Sequence, residues 1–360
     1  NVEVWTYDEP RLYTVQELQV KSDQKKSYLT AIHLDSKKLV QLGNTTYPTI
    51  SLGGEGNASY ALASNPAPYQ LEGQWTAQRA SDYAIVDVSN GDITPILTKI
   101  SGPVRLSPTA KYAVGYNRLD STIFAYNIAD KKLVKLAQGK PFYNEMNDSP
   151  NFPNSYGGMG WTEEDKRMLV YDRYDIWEFN PDTAEKKRIT NGRASKTSFR
   201  YVQLDPEERN LNTKTTWLLR TFNETTKDAG FYKFSYRRGN GQQLVSGPYN
   251  YGTPKKSRDA SKMLFTRESF IEFPNLRIGD LDIKNVRTIS NANPQQSEYN
   301  WGTAELVYWN SLDGKKLTGM LFKPENFDPD KKYPMIVNFY EKSSDRLHGH
   351  RAPSPGRSTI

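Results

Sequence analysis

Two kinds of short segment recur in register along this chain, and their recurrence limits the fold more than any single residue does. The first is a strand, a polar turn and a second strand: Leu52–Leu62, Leu106–Tyr116, Trp161–Tyr171, Leu204–Arg209 running on to Trp217–Leu219, and Lys256–Phe265. These start roughly 50 residues apart, the spacing of a repeat. The second is a hairpin on a charged or glycine turn: Ala31–Gly43, Ala84–Thr94, Ile123–Leu136, Ile176–Ile189, Phe231–Leu244 and Leu276–Ile283. Each hairpin follows its partner by about twenty residues, so the two together make a four-stranded antiparallel unit.

Four-stranded units repeated at this length are what a β-propeller stacks around its axis, each blade burying its faces against its neighbours. The expected fold is therefore all-β, a propeller of four-stranded antiparallel blades. Five full units and one leading hairpin are visible, five to six blades of a propeller whose intact count would be seven or eight. Val2–Trp5 and Leu12–Gln19 either complete the leading unit or belong to blades upstream. A pair of β-sandwiches with coincidental spacing is the competing fold. Composition agrees with strands and tight turns, because 23 Tyr, 14 Phe and 7 Trp accompany 24 Gly and 21 Pro.

Composition also removes several function classes. The 48 Lys and Arg against 41 Asp and Glu leave a formal charge of +7, but the basic residues are scattered as doublets such as Lys37–Lys38, Lys131–Lys132, Lys186–Lys187 and Lys255–Lys256. Solvated turns account for these better than a nucleic-acid track, which concentrates its charge. The absence of cysteine excludes disulfides, thiolate catalysis and sulfur-ligated zinc. No apolar run approaches the roughly 18 residues of a membrane span. No cofactor or metal is expected: His33 reads as a blade-surface residue, and His348 and His350 lack a third ligand nearby in sequence.

After the last unit, Glu305–Pro324 reads as a hairpin turning on Asp313–Gly314, a strong hairpin signal. A polar loop, Glu325–Lys332, leads to an apolar strand, Tyr333–Tyr340. The Ser-x-Asp-Gly turn, the Gly-x-Leu-x-x-Pro strand, the Lys-Lys-Tyr-Pro lead and the strand ending in Tyr resemble the start of the α/β-hydrolase domain in the prolyl oligopeptidase family of serine peptidases, whose dipeptidyl peptidases also carry a propeller before the catalytic domain. The turn Ser107–Lys111 is similar to the Ser-Pro-Asp-Gly-Lys turns of such propellers. The implied division is 1–295 for the propeller and 296–360 for the linker hairpin and a truncated start of the hydrolase domain.

The resemblance implies acyl transfer by a serine on a Gly-x-Ser-x-Gly elbow, and no such pentapeptide occurs in the 360 residues. Nucleophile, acid and base are thus expected downstream of Ile360, with this chain as the non-catalytic propeller region that gates peptides to that site. Tyr340 holds the position of the tyrosine whose hydroxyl helps stabilise the oxyanion in relatives, although Glu341–Asp345 replaces their glycine-containing turn; a strand-end aromatic packed on the propeller is the structural alternative. The implied partners are a peptide substrate and the missing hydrolase domain, and the resemblance leans towards a periplasmic or secreted location. Glu163–Glu164 and Glu207–Glu208 invite comparison with the amine-anchoring glutamates of dipeptidyl peptidases, but both pairs fall in predicted inter-strand turns. Asn147–Gly158 reads as an inter-blade loop. A stand-alone periplasmic scaffold propeller and an inactive peptidase homologue remain the other functional readings.

Overall fold

The computed structural model describes residues 4–54, 56–76, 78–339 and 342–352. By compactness the chain divides into two units, Asn1–Ile189 with Glu208–Asn212, and Thr190–Glu207 with Thr213–Ile360.

In the first unit, helix α1 (Tyr13–Gln24) precedes the hairpin β1 (Thr30–His33) and β2 (Lys38–Gln41). Three four-stranded antiparallel sheets follow in strict sequence order. They are β3 (Thr49–Leu52), β4 (Tyr60–Asn65), β5 (Ser81–Asp87) and β6 (Ile93–Ile100), with a short helix α2 (Gln70–Thr76) inserted before β5; then β7 (Val104–Leu106), β8 (Tyr112–Asn117), β9 (Thr122–Asn127) and β10 (Lys132–Gln138); then β11 (Gly158–Trp161), β12 (Met168–Tyr171), β13 (Ile176–Phe179) and β14 (Lys186–Arg188). The second unit holds β15 (Thr197–Tyr201), β16 (Thr216–Asn223), β17 (Ala229–Ser235) and β18 (Asn240–Gly247) as a fourth such sheet. In a fifth, two short pieces, β19 (Asn250–Tyr251) and β20 (Lys255–Lys256), both pair with β21 (Met263–Glu268), which is followed by β22 (Asn275–Gly279) and β23 (Arg287–Thr288). The hairpin β24 (Thr303–Asn310) and β25 (Lys316–Lys323) closes the series. The five units and the leading two-stranded hairpin thus follow the sequence repeat, as blades do.

Period-two alternation explains why the sheets stack, since successive side chains leave a strand on opposite faces. Ala61, Ala63, Ala84 and Val86 turn one way and cluster with Val40 and Leu42 of the leading hairpin. Leu62, Tyr83 and Ile85 turn the other way and meet Phe124 and Tyr126 of the next sheet. Ile123 and Ala125 then face Trp161, Met168 and Phe179 of the third sheet. In the second unit, Leu218 and Phe231 join Met263 and Phe265 in the same manner. A sheet buried on both faces needs a small residue wherever a large one crosses: a Cβ on Gly115 would stand 2.7 Å from the Phe124 ring and 2.9 Å from the Pro103 carbonyl.

One turn recurs at the first hairpin of three sheets. The Ser107, Thr162 and Ser257 N–H groups donate to the carbonyls of Tyr112, Arg167 and Lys262 at 2.8, 3.0 and 2.9 Å. Their hydroxyls accept the return N–H from the same three residues at 3.0, 3.0 and 2.9 Å. Each turn passes through the left-handed region at its fourth residue, Ala110 (φ 57°), Asp165 (φ 55°) or Ala260 (φ 56°). Ser311 repeats the pattern with Lys315, where Gly314 (φ 80°) takes the left-handed position.

Four expectations need correction. Of the strand expected over Leu12–Gln19, Tyr13–Gln19 lies in helix α1, because Gln, Glu and Leu favour a helix here and Arg11 ties the segment together through Gln19 at 2.6 Å and Asp23 at 2.7 Å. In the fourth unit the first strand ends at Tyr201 rather than at Leu204, and the polar turn expected from Asp205 is present, with the Asp205 carboxylate accepting the Glu207 N–H at 3.1 Å. The Lys186–Lys187 and Lys255–Lys256 doublets sit in short strands rather than turns, where lysine guards a sheet edge. Finally, Tyr333–Phe339 forms no strand, because no neighbouring strand accepts its backbone among the described residues; Val2–Glu3 and Tyr340 lie outside the described residues.

Candidate functional site at the C-terminal junction

The junction begins as an eight-residue-per-strand hairpin in full register from Thr303↔Lys323 to Asn310↔Lys316. Gly314 permits its tight turn, and Lys315 pairs with Asp313 at 2.7 Å. Neither strand contains a buried residue, although both carry apolar side chains on each face. Beyond it, Phe327 stacks on Tyr333 at 5.2 Å and the Asp328 N–H donates to the Tyr333 hydroxyl at 2.9 Å. The lysine-rich lead is thereby folded against the tyrosine that opens the apolar stretch.

Met335, Ile336, Val337 and Phe339 are then 73, 86, 69 and 88% exposed, an apolar run without cover. Tyr340, the expected oxyanion donor, and Glu341 lie outside the described residues. From Lys342 the chain turns back onto the second unit through a 3₁₀ turn at Ser343–Arg346, with Leu347 buried. Asp345 pairs with Lys227 at 2.7 Å.

His348 and His350 lie on this return; no group of three or more metal-ligating side chains occurs among the described residues. The His348 Nε2 atom lies 3.6 Å from the Asp228 carboxylate, near enough to feel its charge and too far for a hydrogen bond. Burial lowers the His348 pKa, and the opposing pull of Asp228 does not restore it. His350 stacks on Trp301 at 5.3 Å, meets Phe273 edge-on at 5.2 Å and bonds Gln296 at 3.1 Å; burial lowers its pKa as well. His33 sits on β1, where its Nε2 lies 3.0 Å from the Val88 carbonyl oxygen.

The acidic pairs fall in turns. Glu163 and Glu164 open a 3₁₀ turn in which Glu164 is exposed and paired with Lys166 at 2.9 Å. Their neighbour Asp165 is the buried one. Its carboxylate accepts the Thr109 N–H and hydroxyl at 3.0 and 2.5 Å, and Asn210 donates to it at 3.4 Å, so it joins the first turns of two sheets to residues 208–212. Glu207 and Glu208 lie on that same connection. A second carboxylate, Asp182, takes bonds from the Tyr112 hydroxyl at 2.8 Å and Asn127 at 2.9 Å. Burial opposes its ionisation, but these bonds, with Lys111 and Lys132 nearby, outweigh that and hold it below the ordinary carboxylate range.

Sequence reading passed over the α2 insertion, whose one signal is the break in alternation after Pro66. Here the Tyr69 hydroxyl donates to Asp82 at 2.6 Å, which pushes its pKa up to about 12. Lys99 pairs with Glu72 at 2.9 Å and lies over the Tyr69 ring, while Trp75 stays 74% exposed. Gln78 binds Asn151 of the Asn147–Gly158 loop, and the Tyr116 hydroxyl donates to the Pro153 carbonyl of that loop at 2.9 Å.

No protein-family model and no curated protein sequence matches the chain. Solved structures do. The dipeptidyl peptidase 4 of Porphyromonas gingivalis is similar with a TM-score of 0.56 at 11% identity, over 86% of this chain and 49% of that one. A putative dipeptidyl aminopeptidase IV from Bacteroides ovatus is similar with a TM-score of 0.51 at 12% identity, over 86% of this chain and 53% of that one. This chain therefore spans about half the length of each, and it resembles in fold, as a β-propeller of four-stranded blades, the dipeptidyl peptidases of the prolyl oligopeptidase family.

Proposed function

We propose that this chain is the propeller region of a prolyl-oligopeptidase-type serine peptidase, with 1–295 as propeller and 296–360 as the start of the hydrolase domain. The observation that carries this reading is an order: blade sheets ending at β23 lead into the Asp313–Gly314 hairpin and then the Lys331–Tyr340 lead, in a chain with the fold of two dipeptidyl peptidases. On this reading the propeller restricts a downstream active site to short peptides. The serine, its base and the orienting acid come from beyond Ile360, and Tyr340 supplies one hydroxyl to the oxyanion of the tetrahedral intermediate.

The test uses the complete protein encoded by the gene. A fluorophosphonate serine probe should label it, and short peptides should be cleaved while folded proteins are spared. Tyr340→Phe should then lower kcat by about 10²–10³ with little change in KM, since a donor aimed at the oxyanion acts in the transition state alone. A well-folded complete protein that takes no label would overturn the peptidase reading in favour of a binding scaffold or an inactive homologue.

A further inference from the structure

Residues 342–352 lie against the second unit beyond the uncovered run that ends at Phe339. The Ser343–Arg346 turn packs on β25, whose Lys323 spends its charge on Glu305 at 2.6 Å. Asp345 pairs at 2.7 Å with Lys227, on the turn between β16 and β17. That lysine side chain is only 9% exposed, and a lysine is almost never so covered unless paired. Two imidazole rings, His348 and His350, then enter the unit two residues apart.

The His348 side chain is 16% exposed, and its Nε2 atom is buried without a hydrogen-bond partner. Among the described residues the charged side chain that acts on it is Asp228, on the β16–β17 turn, with its carboxylate 3.6 Å away. The neighbouring Lys227 is already paired with Asp345. A proton added at Nε2 would place a cation out of water and beyond hydrogen-bond reach of that carboxylate. Asp228 and the Thr226 backbone favour the proton and burial opposes it; burial outweighs both and lowers the pKa of the ring. His350 lies flat on Trp301 and edge-on to Phe273, with Glu268 as the carboxylate that acts on it, and burial again prevails. The face of Trp301 attracts a cation, so His350 loses less on protonation than His348 does.

We propose that residues 342–352 form a pH-sensitive latch, held on the second unit while the buried His348 imidazole is neutral and loosened when it takes a proton, with the Lys227–Asp345 pair as a separate tether. Once the segment is released, the ring meets water and titrates at its ordinary value of 6.5, above that of the docked ring, so release takes up a proton. The latch is therefore complete above pH 6.5 and weakens as the pH falls from there to the lower value of the docked ring. Histidine is the side chain that ordinarily changes charge in this range, so the tether keeps its charges while the switch turns. The latch needs no serine chemistry.

Amide hydrogen exchange over 342–352 in the complete protein tests this, read as protection factors so that the intrinsic pH dependence of exchange divides out. Between about pH 7.5 and about pH 5, protection over the segment should fall about tenfold while that of β17 stays within about twofold. In His348→Gln, whose amide takes no proton there, the fall should shrink to within about twofold. Lys227→Met should cost about tenfold in protection at both pH values and leave the acid loss in place, because tether and switch are separate groups. NMR of histidine labelled at Cε1 follows the His348 ring itself, its signal assigned by its absence from His348→Gln. The ring should titrate below 6.5. The latch is overturned by a ring that titrates at or above 6.5, by a parent whose protection ignores pH, or by a His348→Gln segment that loses as much protection in acid as the parent. The ring titration decides the matter even where His348→Gln fails to dock.

Discussion

Strand β9, Thr-Ile-Phe-Ala-Tyr-Asn, and the stretch 333–339, Tyr-Pro-Met-Ile-Val-Asn-Phe, have nearly the same apolar content and opposite surroundings. All six residues of β9 are buried, whereas Ile336 and Phe339 are almost fully exposed. The strand has β8 and β10 on its edges, and its two faces feed different clusters, Phe124 and Tyr126 one, Ile123 and Ala125 the other. The stretch has no strand beside it among the described residues. Apolar sequence supplies the drive to be buried; neighbouring sheets supply the place. The β24–β25 hairpin lies between these cases, with its ladder complete and its faces half covered.

The largest expected effect tests that contrast directly. Phe179 is fully buried and packs against Phe142 at 5.5 Å, so Phe179→Ala should cost about 3–5 kcal/mol of stability. Phe339→Ala, the same deletion on the exposed stretch, should change stability by less than about 0.5 kcal/mol. Denaturation midpoints of the two variants decide the matter. Comparable losses would mean that the stretch has cover, and the comparison with β9 would collapse.

The same contrast explains what could be read from the sequence. The sheets were legible because the first hairpin of three of them is a local device: a Ser or Thr, a left-handed residue three positions on, and a return strand whose N–H finds the hydroxyl. Helix α1 was misread since an alternating apolar pattern over a few residues fits either a strand or one side of a helix, and α1 buries no residue that could settle which. The long-range side-chain pairs were out of reach for a different reason. Lys227 and Asp345 are 118 residues apart in sequence, and Thr109 and Asp165 are 56 apart; nothing local in either partner announces the other. The strand expected at 333–339 failed because a strand is a property of a pair, and its partner was assumed.

A middle-sized effect concerns the carboxylate Asp182, which ties the sheet of β7–β10 to the turn after β13. Asp182→Asn leaves the shape and removes the charge that Tyr112 and Asn127 bind, for a loss of about 1–2 kcal/mol at neutral pH. The native carboxyl titrates below its ordinary value of 3.8. Its stabilisation is therefore complete above about pH 4–5 and fades as the pH falls through the lower, folded-state value, where both forms are neutral. Thermal midpoints of parent and variant should differ at pH 7 and converge as the pH falls through the folded-state value of the carboxyl, which lies below its ordinary one. A gap that persists unchanged into acid would assign the effect to packing rather than to charge.

The smallest effect separates two turns of the same design. Ala110 and Ala260 both occupy the left-handed position, which costs an L-residue roughly 1–2 kcal/mol and costs glycine almost nothing. Ala260 is exposed, so Ala260→Gly relieves the strain and loses only chain stiffness, for a net gain of about 0.5–1 kcal/mol. Ala110 is 3% exposed, and its methyl lies 3.1 Å from where a Cβ on Gly53 would stand. Ala110→Gly gains the same backbone relief but gives up a buried methyl worth about 0.8 kcal/mol, so it should be close to neutral. Two equal gains would show that the methyl at 110 contributes nothing to the seam between sheets. Two equal losses would show that neither turn is strained, and the left-handed alanine would then be as comfortable in the covered turn as in the open one.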